Sequence, residues 1–210
     1  MTEMTVVHLL RHGEVHNPEH VLYGRLPGYH LSANGRMMAV AAADFFAGRP
    51  VAAVFASPLE RAQETAQPVA ERLGLTIATD DRLIESANVL EGKSVSLASL
   101  ALNPLNWRYL WNPFRPSWGE PYAQVAARVH QVVDRAREAS RGREAVCVSH
   151  QLPIWVTRLA AEHKRLWHNP SSRQCAVGSV TSLTFDGDQL TGVSYTVPPR
   201  QQVADPDRAQ

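Results

Sequence analysis

Two histidines and two arginines, each just beyond a short apolar run, are the residues best placed to do chemistry. Arg11-His12-Gly13 follows the run 5–10, Ser57-Pro58-Leu59-Glu60-Arg61 follows 51–55, and Ser149-His150 follows 145–148. Each run is short and rich in Val, Leu or Ala, and reads as a buried strand. In open α/β sheets, ligands bind outside the carboxyl ends of the strands. Helices that start there also aim free backbone N–H groups at an anion. Guanidinium groups bind phosphate oxygens through paired hydrogen bonds that lysine cannot reproduce. Imidazole titrates near physiological pH and is a nucleophile when neutral. Singly, each cluster is weak: a histidine after a strand is more often structural, and Arg61 alone is a solvated first-turn residue. Arg11, His12, Arg61 and His150 on one rim together read as a phosphate pocket.

The elements that must position these residues follow from local signals. Ser32 predicts the cap of a helix over 33–47, with Gly48 as its stop. Ser57 reads as the cap of a second helix, with Pro58 at its first position and Glu60 closing a capping box. That helix runs to Leu73 and stops at Gly74, and a third strand is expected over 75–77. Between Glu85 and Glu120 the pattern is irregular, broken by Pro104, Pro113 and Pro116. A helix resumes near Pro121, with Tyr122, Val125, Val129, Val132, Val133 and Ala136 at helical spacing. Another is expected from Leu152 to about Glu162. Segments 179–185 and 189–197 flank Asp186-Gly187, a hairpin signal. This alternation predicts one α/β domain over 1–197, a three-layer α/β/α sandwich with a mostly parallel central sheet and an antiparallel edge hairpin. Residues 198–210 are expected to form a flexible tail.

In order along the chain, these motifs resemble those of the histidine phosphatase superfamily, which includes the phosphoglycerate mutases. Leu10-Arg11-His12-Gly13-Glu14 with Asn17 is similar to the family's opening signature. Leu31-Ser32 and Gly35 resemble its first helix start, and the stretch from Ser57 to Ala66 its second motif. Leu83-Ile84-Glu85 with Glu91-Gly92 looks like its acid-bearing segment. Trp118-Gly119-Glu120 leading to Arg128 resembles the next landmark, and Val148-Ser149-His150 the last. The resemblance implies that His12 is the nucleophile and forms a phosphohistidine. It implies that Arg11, Arg61 and His150 bind phosphoryl oxygens with Asn17 as a further donor, and that Glu85 is the general acid. Spacing alone leaves Glu85 and Glu91 even as the acid; the family pattern favours Glu85. Gln151 departs from the pattern, which usually has glycine there, so the pocket wall at that point differs. The mutases carry a longer insertion with an Arg-His-Tyr-Gly stretch around the acid, and its absence here favours a phosphatase.

Weaker candidates complete the site. Tyr23-Gly24-Arg25 is expected at the pocket edge, and Gln151 at its wall. The aromatic stretch 107–118 reads either as a lid or as a hydrophobic cluster pinning a loop, with Arg108 and Arg115 available to a second anion. Histidines 16, 20, 30, 163 and 168 are by default solvated loop residues, and no metal site or cofactor is expected. Net charge is +1 and hydrophobic residues make up 44% of the chain, so nucleic acid is not indicated as a partner. No signal peptide and no apolar run of membrane-spanning length is visible, so a cytoplasmic protein with no membrane partner is expected. The edge near the terminal hairpin leaves a homodimer open. Three functions compete: a metal-independent phosphatase of the histidine acid phosphatase type, acting on a small phosphorylated metabolite; a phosphoglycerate mutase-type transferase; and a non-catalytic phosphoanion-binding module.

Overall fold

The computed structural model describes residues 3–88, 91–92 and 119–199. The expected aromatic stretch 107–118, and the tail beyond residue 199, lie outside the described residues. Among the described residues the strands are β1 (Met4–Arg11), β2 (Val51–Ala56), β3 (Ile77–Thr79), β4 (Glu144–Ser149), β5 (Val180–Asp186) and β6 (Gln189–Thr196). The α-helices are α1 (Ala33–Phe46), α2 (Glu60–Leu73), α3 (Tyr122–Ala139) and α4 (Gln151–Ala161). The sheet order is β3-β2-β4-β1-β5-β6. Strands β1 to β4 run parallel, and β5 and β6 form the antiparallel edge. This is the expected sandwich.

The parallel strands are apolar on both faces because both faces are covered. Val7, Leu9, Phe55, Ala145 and Cys147 point to one side, against Val129, Val132 and Val133 of α3 and Ile154 of α4. Leu10, Val54, Ala56, Val146 and Val148 point to the other, against Phe46 of α1 and Ala62, Ala66 and Val69 of α2. Alternation along each strand thus assigns α1 and α2 to one layer, α3 and α4 to the other. The six α3 positions picked out by spacing are all buried.

Topology places the chemistry. The chain lays down β1, moves out to β2 and β3, then returns to insert β4 between β2 and β1. The carboxyl ends of β2, β4 and β1 are therefore neighbours. Register locks them: Arg11 pairs with Ser149, and Ala56 with Val148. Beyond the strands, His12 N–H donates to the Ser149 carbonyl and Ser57 N–H to the Val148 carbonyl, each at 3.0 Å.

Local signals hold for α1, where the Ser32 hydroxyl accepts from Gly35 N–H at 2.9 Å. They fail at two places. The third strand lies at Ile77–Thr79 instead of 75–77, because Leu75 N–H is used by the turn after α2, bonding the Ala70 carbonyl. Helix α2 begins at Glu60, with Leu59 as a cap residue that makes no side-chain bond. The capping box is not formed: Ser57 Oγ bonds His150, and Glu60 Oε1 accepts from Gly28 N–H. A tertiary partner outcompeted the local one.

The loop after β1 is pressed onto the start of α1. A Cβ on Gly13 would lie 2.5 Å from the Gly35 carbonyl oxygen, and one on Gly35 would overlap the backbone oxygen of Glu14. Both neighbours are backbone and cannot swing away. Gly35→Ala is therefore expected to destabilise the fold by about 1–3 kcal/mol through overpacking. Urea unfolding would read this as a lower midpoint at constant slope; an unchanged midpoint would contradict the packing described.

Candidate active site

The three strand ends form the floor of a cavity of about 260 Å³, lined by Arg11, His12, Tyr23, Gly24, Glu85, Tyr122, Gln151 and Arg173, among others. His12 is 2% exposed, and Arg61 and His150 are fully buried just behind this surface. The two imidazole rings lie 5.1 Å apart. Positive charge dominates the floor. Arg61 packs over the Tyr23 ring at 4.8 Å and donates through Nη2 to the Gly24 carbonyl at 2.6 Å. Arg11 donates through Nη1 to the Cys175 carbonyl at 2.5 Å. Arg11 Nε, Arg61 Nε and Nη1, and His150 Nδ1 are buried and have no hydrogen-bond partner among the described residues. Four orphaned donors, on one buried and one half-buried arginine and a buried histidine, fit a tetrahedral oxyanion, which accepts on every face.

Tautomers follow from the hydrogen bonds. His12 Nδ1 lies 2.7 Å from the Gly13 carbonyl, which can only accept, so Nδ1 carries the proton and Nε2 the lone pair. His150 Nε2 lies 2.7 Å from Ser57 Oγ. That hydroxyl finds no other acceptor for its proton among the described residues, so it donates to His150 Nε2, leaving Nδ1–H as a donor. Burial, then the nearby Arg61 and Arg11, hold the His12 pKa well below its ordinary value. Burial, followed by His12, Arg61 and Arg11, does the same to His150. Both rings are neutral. Glu85 moves the other way: burial raises its pKa against the Ser86 N–H bond and the pull of Arg61, Arg11 and Arg173. A neutral imidazole and a carboxyl biased toward its protonated form therefore share one cavity.

The residues 7–198 match the sequence profile of the histidine phosphatase superfamily (branch 1). The chain belongs to this family. A protein of Mycobacterium tuberculosis (strain ATCC 25618 / H37Rv), Rv0525, is 57% identical over 199 residues, covering 94% of this chain and 98% of its own. The probable phosphoglycerate mutase GpmB of Yersinia pestis (strain Pestoides F) is 29% identical over 157 residues, covering 72% of each chain. Among solved structures, the mycobacterial glucosyl-3-phosphoglycerate phosphatase Rv2419c superposes with a TM-score of 0.75 at 26% identity, over 92% of this chain and 98% of that one.

In this histidine phosphatase, the expected residues separate into those that meet and those that support. Arg11, His12, Arg61, His150 and Glu85 converge. Gly24 and Gln151 line the cavity. Glu91 does not: it packs against Gly24 and accepts from Asn88 N–H. Asn17 is not among the lining residues; its amide brackets Val21, accepting from its N–H and donating to its carbonyl, and so shapes the loop that lines one wall. Arg25 turns away from the phosphate floor, donating to the Glu85 carbonyl at 2.6 Å and pairing with Glu120. Arg128 joins the same carboxylate and donates to the Arg82 carbonyl. With the Ser149 hydroxyl on the Leu83 carbonyl, these bonds clamp the segment that carries Glu85.

Sequence reasoning gave no catalytic-site role to Ser57, Thr65, Tyr122 and Arg173. Thr65 Oγ accepts from Gly13 N–H and donates to the Arg61 carbonyl, tying the loop after His12 to the turn that carries Arg61. Its only signal was a buried hydroxyl on the inner face of α2. His168 is not the solvated loop residue expected: it stacks on Tyr122 at 5.3 Å, and its Nε2 accepts from Arg173 Nε.

Neutral buried histidines make stability depend on pH. Below the ordinary histidine value of 6.5 the unfolded chain binds protons at positions 12 and 150 that the folded chain refuses. Stability therefore falls on acidification, by up to about 2.7 kcal/mol per pH unit for two such groups. Glu85 opposes this: its raised folded pKa adds stability that is complete below its unfolded value of 4.5 and lost as pH rises through the folded one. His130 and His168, lowered by burial, act with the two site histidines, and His30, raised by its bond to Glu64, acts with Glu85; four groups against two leave a net loss on going from pH 7 toward 5. Urea unfolding across that range should show it, with a shallower slope in His150→Gln; stability rising on acidification would refute the assignment.

Proposed function

We propose that the chain is a phosphomonoesterase for a small phosphorylated metabolite, working through a phosphohistidine on His12 with Glu85 as general acid. One observation carries the reading: the Gly13 carbonyl holds the Nδ1 proton, so the His12 Nε2 lone pair is the reactive end beside buried arginine donors. Arg11, Arg61 and His150 bind the phosphoryl oxygens and offset the charge that builds on them, with no need for a metal. Nε2 attacks phosphorus in line; the P–N bond forms as the P–O bond breaks, and the Glu85 proton goes to the leaving oxygen. Water then attacks phosphorus and gives its proton to the Glu85 carboxylate, the P–N bond breaks, and phosphate departs. Covalent catalysis replaces one difficult displacement with two easier ones. The likeness to GpmB favours a second reading, in which a substrate hydroxyl takes the place of water. The missing Arg-His-Tyr-Gly stretch ranks it lower. Incubation with 3-phosphoglycerate and a bisphosphate primer separates the two by yielding 2-phosphoglycerate or free phosphate.

His12→Ala should abolish p-nitrophenyl phosphate turnover, by at least about 10³-fold, while preserving the thermal midpoint within a few degrees. Undiminished turnover would remove the nucleophile assignment. Glu85→Gln should lower kcat for alkyl phosphates by about 10²–10⁴-fold. It should cost far less with p-nitrophenyl phosphate, whose leaving group departs without a proton. Equal losses on both substrates would remove the acid role.

A further inference from the structure

We infer that Arg173 reads a second anionic group, carried on the leaving part of the substrate, so that the site selects phosphomonoesters bearing a carboxylate or another phosphate. This rests on the phosphatase reading and extends it to specificity.

Three arginines at the site make no ion pair among the described residues: Arg11, Arg61 and Arg173. Arg25 and Arg128, by contrast, share Glu120. A phosphoryl group held by Arg11 and Arg61 satisfies two of these cations and leaves the third. Arg173 lines the same cavity as Arg11, His12 and Glu85. It lies close enough to Glu85 for its charge to bear on that carboxyl. That places it toward the acid and the leaving oxygen. The orphaned donors of Arg61 and His150 instead mark the phosphate floor.

Among the described residues the guanidinium donates to neutral acceptors only. Nε donates to His168 Nε2 at 2.8 Å and Nη1 to Gln151 Oε1 at 3.4 Å, with the Tyr122 hydroxyl beside them. His168 is fixed as an acceptor because its Nδ1–H donates to the Leu166 carbonyl at 2.7 Å. The ring is wedged between Tyr122 and Trp155. Arginine has five N–H donors, and three neutral acceptors leave two, with the charge undiminished. Gln151 occupies the position where the family pattern has glycine, and its side chain supplies a contact to Nη1 that glycine could not. The departure and the arginine belong together. A partly buried cation oriented by neutral groups is arranged for an incoming anion.

The test compares matched probes on wild type and Arg173→Met: 3-phosphoglycerate against glycerol 3-phosphate, and propane-1,3-diol bisphosphate against 3-hydroxypropyl phosphate. Within each pair, only the second anionic group is replaced by a hydroxyl-bearing one. Wild type should prefer at least one anionic member, and Arg173→Met should shrink that kcat/KM ratio by about 10- to 100-fold. A preferred carboxylate or a preferred bisphosphate identifies the anion. A ratio near one in wild type, or a ratio untouched by Arg173→Met, overturns the inference. So does an equal loss on both members of a pair, which would make Arg173 part of the phosphate floor. If wild type hydrolysed none of these nor p-nitrophenyl phosphate, the phosphatase reading would fail separately. Dissociation constants for the same pairs by calorimetry would then decide the role of Arg173 by the same ratio.

Discussion

The site is organised around uncompensated positive charge, buried where three parallel strands end. Arg61 is fully enclosed, stacked on Tyr23, and among the described residues keeps one acceptor, the Gly24 carbonyl. A buried guanidinium without a carboxylate is unfavourable in the absence of an anion, and the surrounding fold must hold it there. Helix α2 does so by packing Ala62, Ala66 and Val69 against the sheet, which fixes Arg61 on the inward face of the first turn. Thr65 then links that turn to the loop bearing His12.

The same charge sets the proton inventory. Burial, reinforced by the arginines beside it, disfavours the imidazolium form, so His12 is neutral, as the proposed nucleophile must be. Glu85 faces the same cations yet has a raised pKa, because loss of water outweighs their attraction. One desolvated pocket thus makes the base weaker and the acid weaker, the two protonation states that the proposed transfer through His12 calls for. The clamp of Arg25, Glu120 and Arg128 keeps the Glu85 segment in the pocket without offering its side chain a competing ion pair.

The supporting residues show where a local signal loses to a distant one. Ser57 and Glu60 have the types and spacing of a capping box, yet Ser57 turns to His150 and Glu60 to Gly28. Ser57 bonds His150 at 2.7 Å and keeps only a long 3.4 Å contact with the Leu59 N–H, so its short bond goes to the distant ring. Asn17 sits in the family signature, but the fold uses its amide to shape the wall loop through Val21.

The sequence by itself determined the alternation of strands and helices, the α3 core face, the Ser32 cap and the terminal hairpin, because these depend on periodicity and near-neighbour bonds. Its motifs also named His12, Arg11, Arg61, His150 and Glu85. Only the tertiary structure decided that β4 inserts between β1 and β2, and so that residues up to 139 positions apart share one floor. It alone set the imidazole tautomers, placed Glu85 in the cavity lining and Glu91 outside it, and brought Arg173 to the cavity beside Gln151 and His168. Proton positions and desolvation arise from what surrounds a group in space, and neighbours along the chain carry little of that information.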